Sequence, residues 1–274
     1  MGASLPETDA PCKGCGATYH SEMLPSPCYV LSDAHLGVAP ADVERDLLGL
    51  LRSLPGDARS LVINGDLFDF WFEWRHAVPR AGVRVLGELA RIRESGIPVL
   101  WIAGNHDFGG GAVLRDELGL DYHMGPWRGQ VGGWDAVIEH GDGLREKEDA
   151  PYRLLRAVIR HRWSVTLFRW LHPDVGTWIA RQCSHTSRHT RPRDGGEGLR
   201  QVAHARLGTA GAPDLLIFGH SHLSTLERVH RGVFANPGAF MDAPRFLRIV
   251  PERIELRRWS TEGSTVEDAL ERVL

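Results

Sequence analysis

Seven residues carry donor atoms suited to divalent cations, and they fall in five short motifs. The motifs are Asp33-Ala34-His35, Gly65-Asp66-Leu67-Phe68-Asp69, Gly104-Asn105-His106-Asp107, His140-Gly141-Asp142 and Gly219-His220-Ser221-His222. Asp33, His35, Asp66, Asn105, His140, His220 and His222 supply enough oxygens and nitrogens for two ions that share one carboxylate. Two ions about 3.5–4 Å apart clamp the attacking and leaving oxygens of a phosphoryl displacement. Asp66 is the natural shared group, because a carboxylate has two oxygens. Mixed imidazole and carboxylate donors suit Mn, Fe, Zn or Co better than Ca. His106 is left over as a proton donor to a leaving oxygen, a role that typically contributes 10²–10⁴-fold. Asp69, three residues after Asp66, is placed to orient that imidazole.

Each motif alone has an ordinary reading. Asp-x-His arises by chance, a strand-terminal Asp commonly makes a turn, and a single His is more often a satisfied core or surface residue than a ligand. Jointly the ordinary readings fail, because all five motifs sit at or near the ends of apolar runs. Cys28–Leu31, Leu61–Ile63, Val99–Ile102 and Leu215–Phe218 are short runs rich in β formers, with Ser32, Asn64, Gly104 and Gly219 at or one residue past their ends. They read as buried strands, and open α/β sheets bind ligands at such ends. Residues two apart on a strand share a face, which predicts that Asp33 with His35, and His220 with His222, reach one ion each. Gly104 is expected to let the backbone turn sharply before Asn105.

Helical patterns near 41–53 and 80–95 lie between the first three strands, and an antiparallel pair is expected over 246–250 and 253–256. Residues 1–27, rich in Pro, Gly and small polar types, read as an irregular extension, and Cys12 and Cys15 within it make only half a zinc knuckle. Residues 28–274 form the remaining domain. Between Tyr152 and Leu207 lie 11 Arg and no Lys against Asp174, Asp194 and Glu197, a local charge of +8 in a chain of net charge −3. That stretch has aromatic and apolar residues at helical spacing and reads as a helical cap over the site, about 150–207. The 42% hydrophobic and 24% charged content is that of a soluble globular protein. No run of 18 or more apolar residues predicts a spanning helix. No secretory signal is visible, and four cysteines make no disulfide framework, so a cytoplasmic location is expected.

The five motifs together resemble the calcineurin-like metallophosphoesterase superfamily over about residues 28–240. The resemblance implies an α/β (α+β) fold, a four-layer sandwich of two mixed β-sheets flanked by helices, with the helical cap inserted. It implies one ion on Asp33, His35, Asp66 and His222 and another on Asp66, Asn105, His140 and His220. It pairs His106 with Asp69 in catalysis, with a metal-bridged hydroxide as nucleophile. Asn236-Pro237-Gly238 resembles the family's closing turn. Two divalent ions, Mn first among them, are the expected cofactors.

A closer likeness is to the UDP-2,3-diacylglucosamine diphosphatases of lipid A synthesis. It rests on Gly65 through Trp71, Asn105 through Phe108, His140-Gly141-Asp142, and Asp149-x-x-Tyr152 opening the cap. It implies hydrolysis to UMP and 2,3-diacylglucosamine 1-phosphate, with Asp149, Tyr152, Ser184, Arg188 and Arg191 contacting substrate. The chain departs from that group in having His106 where Arg is usual and Asp69 where Glu is usual. The aromatic, Arg-rich cap agrees with a lipid-linked anion and with peripheral contact at the inner face of the cytoplasmic membrane. The rival readings are a soluble nucleotide phosphodiesterase or pyrophosphatase, a nuclease, and a non-catalytic scaffold. The charge of −3 and the lack of an added nucleic-acid motif predict no nucleic-acid partner.

Overall fold

A computed structural model describes residues 22–145, 148–188 and 194–272, with residues 22 and 183–188 in backbone only. Cys12, Cys15 and Arg191 lie outside the described residues, as do the side chains of Ser184 and Arg188. The chain opens with strands β1 (Glu22–Leu24) and β2 (Cys28–Leu31), then helix α1 (Ala41–Ser53), β3 (Ser60–Asn64), α2 (Val83–Glu94) and β4 (Val99–Ile102). There follow β5 (Asp121–His123), β6 (Trp127–Val131) and β7 (Trp134–Ile138). Four helices come next: α3 (Ala150–Ile159), α4 (Arg162–Arg169), α5 (Pro173–Arg188) and α6 (Glu197–Leu207). The chain returns through β8 (Leu215–Ile217), β9 (Thr225–Val229), β10 (Gly232–Asn236), β11 (Arg245–Ile249), β12 (Arg253–Ser260) and β13 (Gly263–Glu271).

The strands make two mixed sheets, ordered β1-β6-β7-β8-β10-β9 and β13-β12-β11-β2-β3-β4-β5. Alternation along each strand divides its side chains between two cores. In β3, Leu61 and Ile63 join a core with α1 and α2, while Val62 joins the core between the sheets. In β8, Leu215 and Ile217 face the other sheet, and Leu216 packs with Phe218, Phe234 and α6. The layers therefore run α1/α2, sheet, sheet, α6. Burial on both faces explains why β2, β3, β4 and β8 read as unbroken apolar runs.

Two boundaries differ from expectation. Glu22–Leu24, inside the stretch expected to be irregular, pairs in parallel with β6. The 150–207 stretch divides in two. α6 buries Leu199, Ala203 and Leu207 as an outer layer of the core, whereas α3 and α4 bury no side chain fully. The cap is thus α3–α5. It is anchored by Phe168, whose ring lies 4.7 Å from Phe72, 6.0 Å from Trp74 and 6.2 Å from Phe70. Gly176 brings α5 against Trp74, since a Cβ there would lie 2.7 Å from the indole. Trp163, Leu167 and Trp170 stay 67%, 73% and 84% exposed. Among the described residues, no helix is long and apolar enough to cross a membrane.

Candidate metal centre

All five motifs begin just past strand C-termini: those of β2, β3 and β4 in one sheet and those of β7 and β8 in the other. The sheets are stitched at this edge. The Asn64 amide donates to the Glu139 carbonyl at 3.1 Å, His140 Nδ1–H donates to the Asn64 carbonyl at 2.9 Å, and Gly219 N–H donates to the His140 carbonyl at 2.9 Å.

The backbone that aims the donors is not the strand backbone the spacing predicted. Asp33, His35, Asp66, His220 and His222 all have positive φ, between 45° and 61°. The left-handed region is costly for residues with a Cβ, about 1–3 kcal/mol each, and local hydrogen bonds hold the residues there. Asp33 N–H donates to the Gly65 carbonyl at 3.1 Å, and His35 N–H to the Asp66 carbonyl at 3.0 Å. Asp33 and His35 do converge on one group, but through two left-handed residues beyond the strand end rather than through alternation along it, whereas His220 and His222 diverge, His222 toward Asp33 and His35 and His220 toward Asp66 and His140. Gly104 also differs from expectation. Its φ is not among the positive ones, and what it permits is close approach, since a Cβ there would lie 2.1 Å from Asp66 Oδ1.

Three groups of ligand atoms result, each within 4.8 Å: Asp33 with His35 and His222, Asp66 with His140 and His220, and, beside them, His35 with Asp69 and His106. His222 Nε2 lies 3.4 Å from Asp33 Oδ1 and 3.3 Å from His35 Nε2. Asp66 Oδ2 stands between the first two groups, 3.1 Å from His140 Nε2 and 3.9 Å from His35 Nε2. Asn105 Oδ1 is buried without a hydrogen-bond partner, and Asp33 Oδ1 and His140 Nε2 are buried with no well-aligned hydrogen bond, facing only other groups of the cluster. Such a buried polar atom ordinarily costs about 1–3 kcal/mol. Asp33 Oδ1 in the first group and His140 Nε2 in the second fit cations that would satisfy them.

The electrostatics agree. Burial opposes charge on Asp33, but the imidazoles of His140 and His222 outweigh it and hold the carboxyl at about 2. Burial is likewise outweighed at Asp66, which His140 and His106 keep well below the carboxylate range. Burial also opposes a proton on His140, yet Asp66 and Asp33 lift its pKa well above the ordinary value. His222 is raised in the same way, by Asp33 against its burial. Burial lowers His35 to about 4 and, helped by His140, lowers His220. Protons on His140 and His222 thus do what a bound cation would do for Asp33 and Asp66.

His106 stands beside this cluster. Its N–H donates to Asp66 Oδ1 at 2.9 Å, and its ring Nδ1–H donates to the main-chain carbonyl of Asp69 at 2.9 Å. The Asp69 carboxylate is farther, with Oδ1 3.9 Å from His106 Nδ1 and 3.8 Å from His35 Nδ1. The ring is therefore oriented by the Asp69 backbone, a contact that residue identity does not reveal. Asp107 braces the loops: its fully buried carboxylate accepts from Gly104 N–H at 2.7 Å and Leu67 N–H at 2.9 Å. Burial and the nearby Asp66 raise its pKa to about 7.

The cap reaches the site through α3. Tyr152 donates its hydroxyl proton to Asp142 Oδ2 at 2.7 Å, and Arg156 donates to the same oxygen at 3.0 Å. Arg160 donates to the Gly104 carbonyl at 3.0 Å. Asp149 is buried at the start of α3 and bound by Arg145 at 2.6 Å. Arg156 and Arg160, which residue type alone does not single out, follow Tyr152 at four-residue steps on one helix face. A cavity of about 340 Å³ lies between α5 and the core, bounded by Asp69, Phe70, Trp74, Val78, Trp178 and Arg181.

Residues 26–224 match the calcineurin-like phosphoesterase family. Three curated relatives carry the name UDP-2,3-diacylglucosamine hydrolase. The chain is 35% identical to the Porphyromonas gingivalis protein over 158 residues, which is 52% of this chain and 60% of that one. It is 28% identical to the Hamiltonella defensa protein over 248 residues, covering 88% and 92% of the two chains. It is 30% identical to the Neisseria meningitidis serogroup B protein over 212 residues, covering 74% and 84%.

Proposed function

The chain belongs to the calcineurin-like phosphoesterase family, a metal-dependent hydrolase by that membership, and on that premise we propose that its substrate is UDP-2,3-diacylglucosamine, cleaved to UMP and 2,3-diacylglucosamine 1-phosphate. The gathering of Asp33, His35 and His222 in one group of ligand atoms and of Asp66, His140 and His220 in another supports the reading, and the buried, unpartnered Asn105 Oδ1 agrees with it.

Asp33, His35, Asp66 and His222 would hold one divalent ion and Asp66, Asn105, His140 and His220 a second. Mn is the ion we expect, with Fe, Zn and Co suited to the same donors. When bound, the pair supplies Lewis-acid polarisation of phosphoryl oxygens and a lowered pKa for bound water. His106, with Nδ1 committed to the Asp69 carbonyl, has Nε2 left to protonate the departing oxygen. The Asp69 carboxylate Oδ1 lies 3.9 Å from the same Nδ1.

The cavity under α5 supports a substrate with acyl chains. Its walls combine Phe70, Trp74, Val78 and Trp178 with the charged Arg80, Asp174 and Arg181, and Asp69 ties it to the proposed centre. Asp149, Tyr152, Ser184, Arg188 and Arg191 are the proposed substrate contacts of the cap. The exposed Trp163, Leu167 and Trp170, among arginines, suit peripheral contact with an anionic membrane face. The test is UMP release by Mn-loaded protein from UDP-2,3-diacylglucosamine and, in parallel, from a plain UDP-sugar. Strong preference for the acylated substrate is expected. Equal turnover, or turnover of the simple substrate alone, replaces the lipid with a soluble nucleotide.

A further inference from the structure

We infer that Arg160 forms an anion subsite beside the metal centre and receives the phosphate that departs with the sugar; the second half of this rests on the phosphoanhydride reading above. Arg160 follows α3 directly, and its side chain lies over the loop that carries Asn105 and His106. Nη2 donates to the Gly104 carbonyl at 3.0 Å, and the guanidinium stacks on Phe108, 4.8 Å from the ring centroid. Those two contacts fix the plane and one edge of the group. Its Nε is buried and has no hydrogen-bond partner. A guanidinium is always charged and carries five donors, so a donor kept from water and given no acceptor marks a missing anion.

Asp142 meets that charge only in part, as an ion pair without a hydrogen bond. Its Oδ2 already accepts from Tyr152 at 2.7 Å and from Arg156 at 3.0 Å, and it stands 3.6 Å from Arg160 Nη2, beyond hydrogen-bond reach. Arg156 is further committed to the Asp142 carbonyl at 2.9 Å. One carboxylate therefore faces two guanidinium groups, and Arg156 takes most of it. The surplus positive charge sits one peptide from a proposed metal ligand. Phosphate matches the planar fork of arginine through two parallel hydrogen bonds. The two phosphates of an anhydride share a single oxygen. A group at the metals therefore brings its neighbour within a few ångströms, where the cap and not the ions must receive it.

Two measurements test this. Inorganic phosphate is titrated into metal-free protein and followed by 31P NMR. Arg160→Ala should weaken binding about tenfold or more, with Arg160→Lys intermediate because the charge stays and the fork goes. Unchanged binding in both variants, with folding verified by circular dichroism, overturns the subsite. With Mn-loaded protein, kcat/KM for the UDP-linked anhydride should fall at least tenfold more than kcat/KM for bis(p-nitrophenyl) phosphate, which has one phosphate. Equal losses on the two substrates overturn the assignment to the departing phosphate. If the wild type hydrolyses neither, the phosphoesterase reading fails, and the titration still decides the subsite.

Discussion

His35 and His222, 187 positions apart, face each other Nε2 to Nε2 across 3.3 Å. Two imidazole lone pairs are stable at that distance only with a cation or proton between or beside them. Asp33 Oδ1 beside the pair carries the opposite charge. Removing a donor from either group, by His35→Ala, His222→Ala, Asn105→Ala or His140→Ala, should lower metal content and abolish nearly all turnover. Elemental analysis of purified variants checks this, and full activity with full metal in any of them would remove that residue from the ligand set.

His106 makes a different prediction. Its ring is held by a backbone carbonyl and its N–H by Asp66. His106→Ala should therefore keep both ions yet slow turnover by roughly 10²–10⁴-fold, the usual range for a lost general acid. Unchanged turnover would end its role in proton transfer.

Metal affinity should rise with pH. His140 and His222 hold protons to higher pH than ordinary imidazoles because Asp66 and Asp33 face them. An ion must displace those protons, so binding releases protons. Affinity should fall as pH drops through the raised values. For the metal-free protein the sign is opposite. The stability that protonated His140 contributes is fully present below the ordinary imidazole pKa and is lost as pH rises through the raised one. Calorimetric titration of Mn in buffers of different ionisation enthalpy reads the proton count, and a count of zero across neutral pH contradicts the picture.

At Gly176, α5 lies tight against Trp74 and Phe168. Gly176→Val should press on Trp74 and Phe168 and cost about 1–3 kcal/mol of cap seating. We expect KM for the acylated substrate to rise roughly tenfold, which corresponds to about 1.4 kcal/mol, with little change for a plain UDP-sugar. An equal change for both substrates would separate the cavity from acyl binding.

Much of this fold is legible in the sequence because β2, β3, β4 and β8 are buried on both faces. The site motifs are legible because each is contiguous. What is hidden depends on geometry beyond residue type. The left-handed turns at Asp33 and His220 look like strand continuation when only spacing is available. β13 is mostly exposed along Gly263–Glu271, so no apolar alternation announces it. β1 follows a Pro- and Gly-rich stretch and is three residues long. The contact of Arg160 with Gly104 joins positions 56 apart and depends on where the cap lands.

The donors come from both sheets, Asp33, His35, Asp66 and Asn105 from one and His140, His220 and His222 from the other. A bound ion is therefore also a cross-link that closes very long loops, and clips of that kind restrict the unfolded chain most. Loading the centre should staple the two halves of the sandwich together at one edge. A chelator would then act as a reducing agent does on a disulfide, lowering the melting temperature of a protein whose cores are otherwise intact.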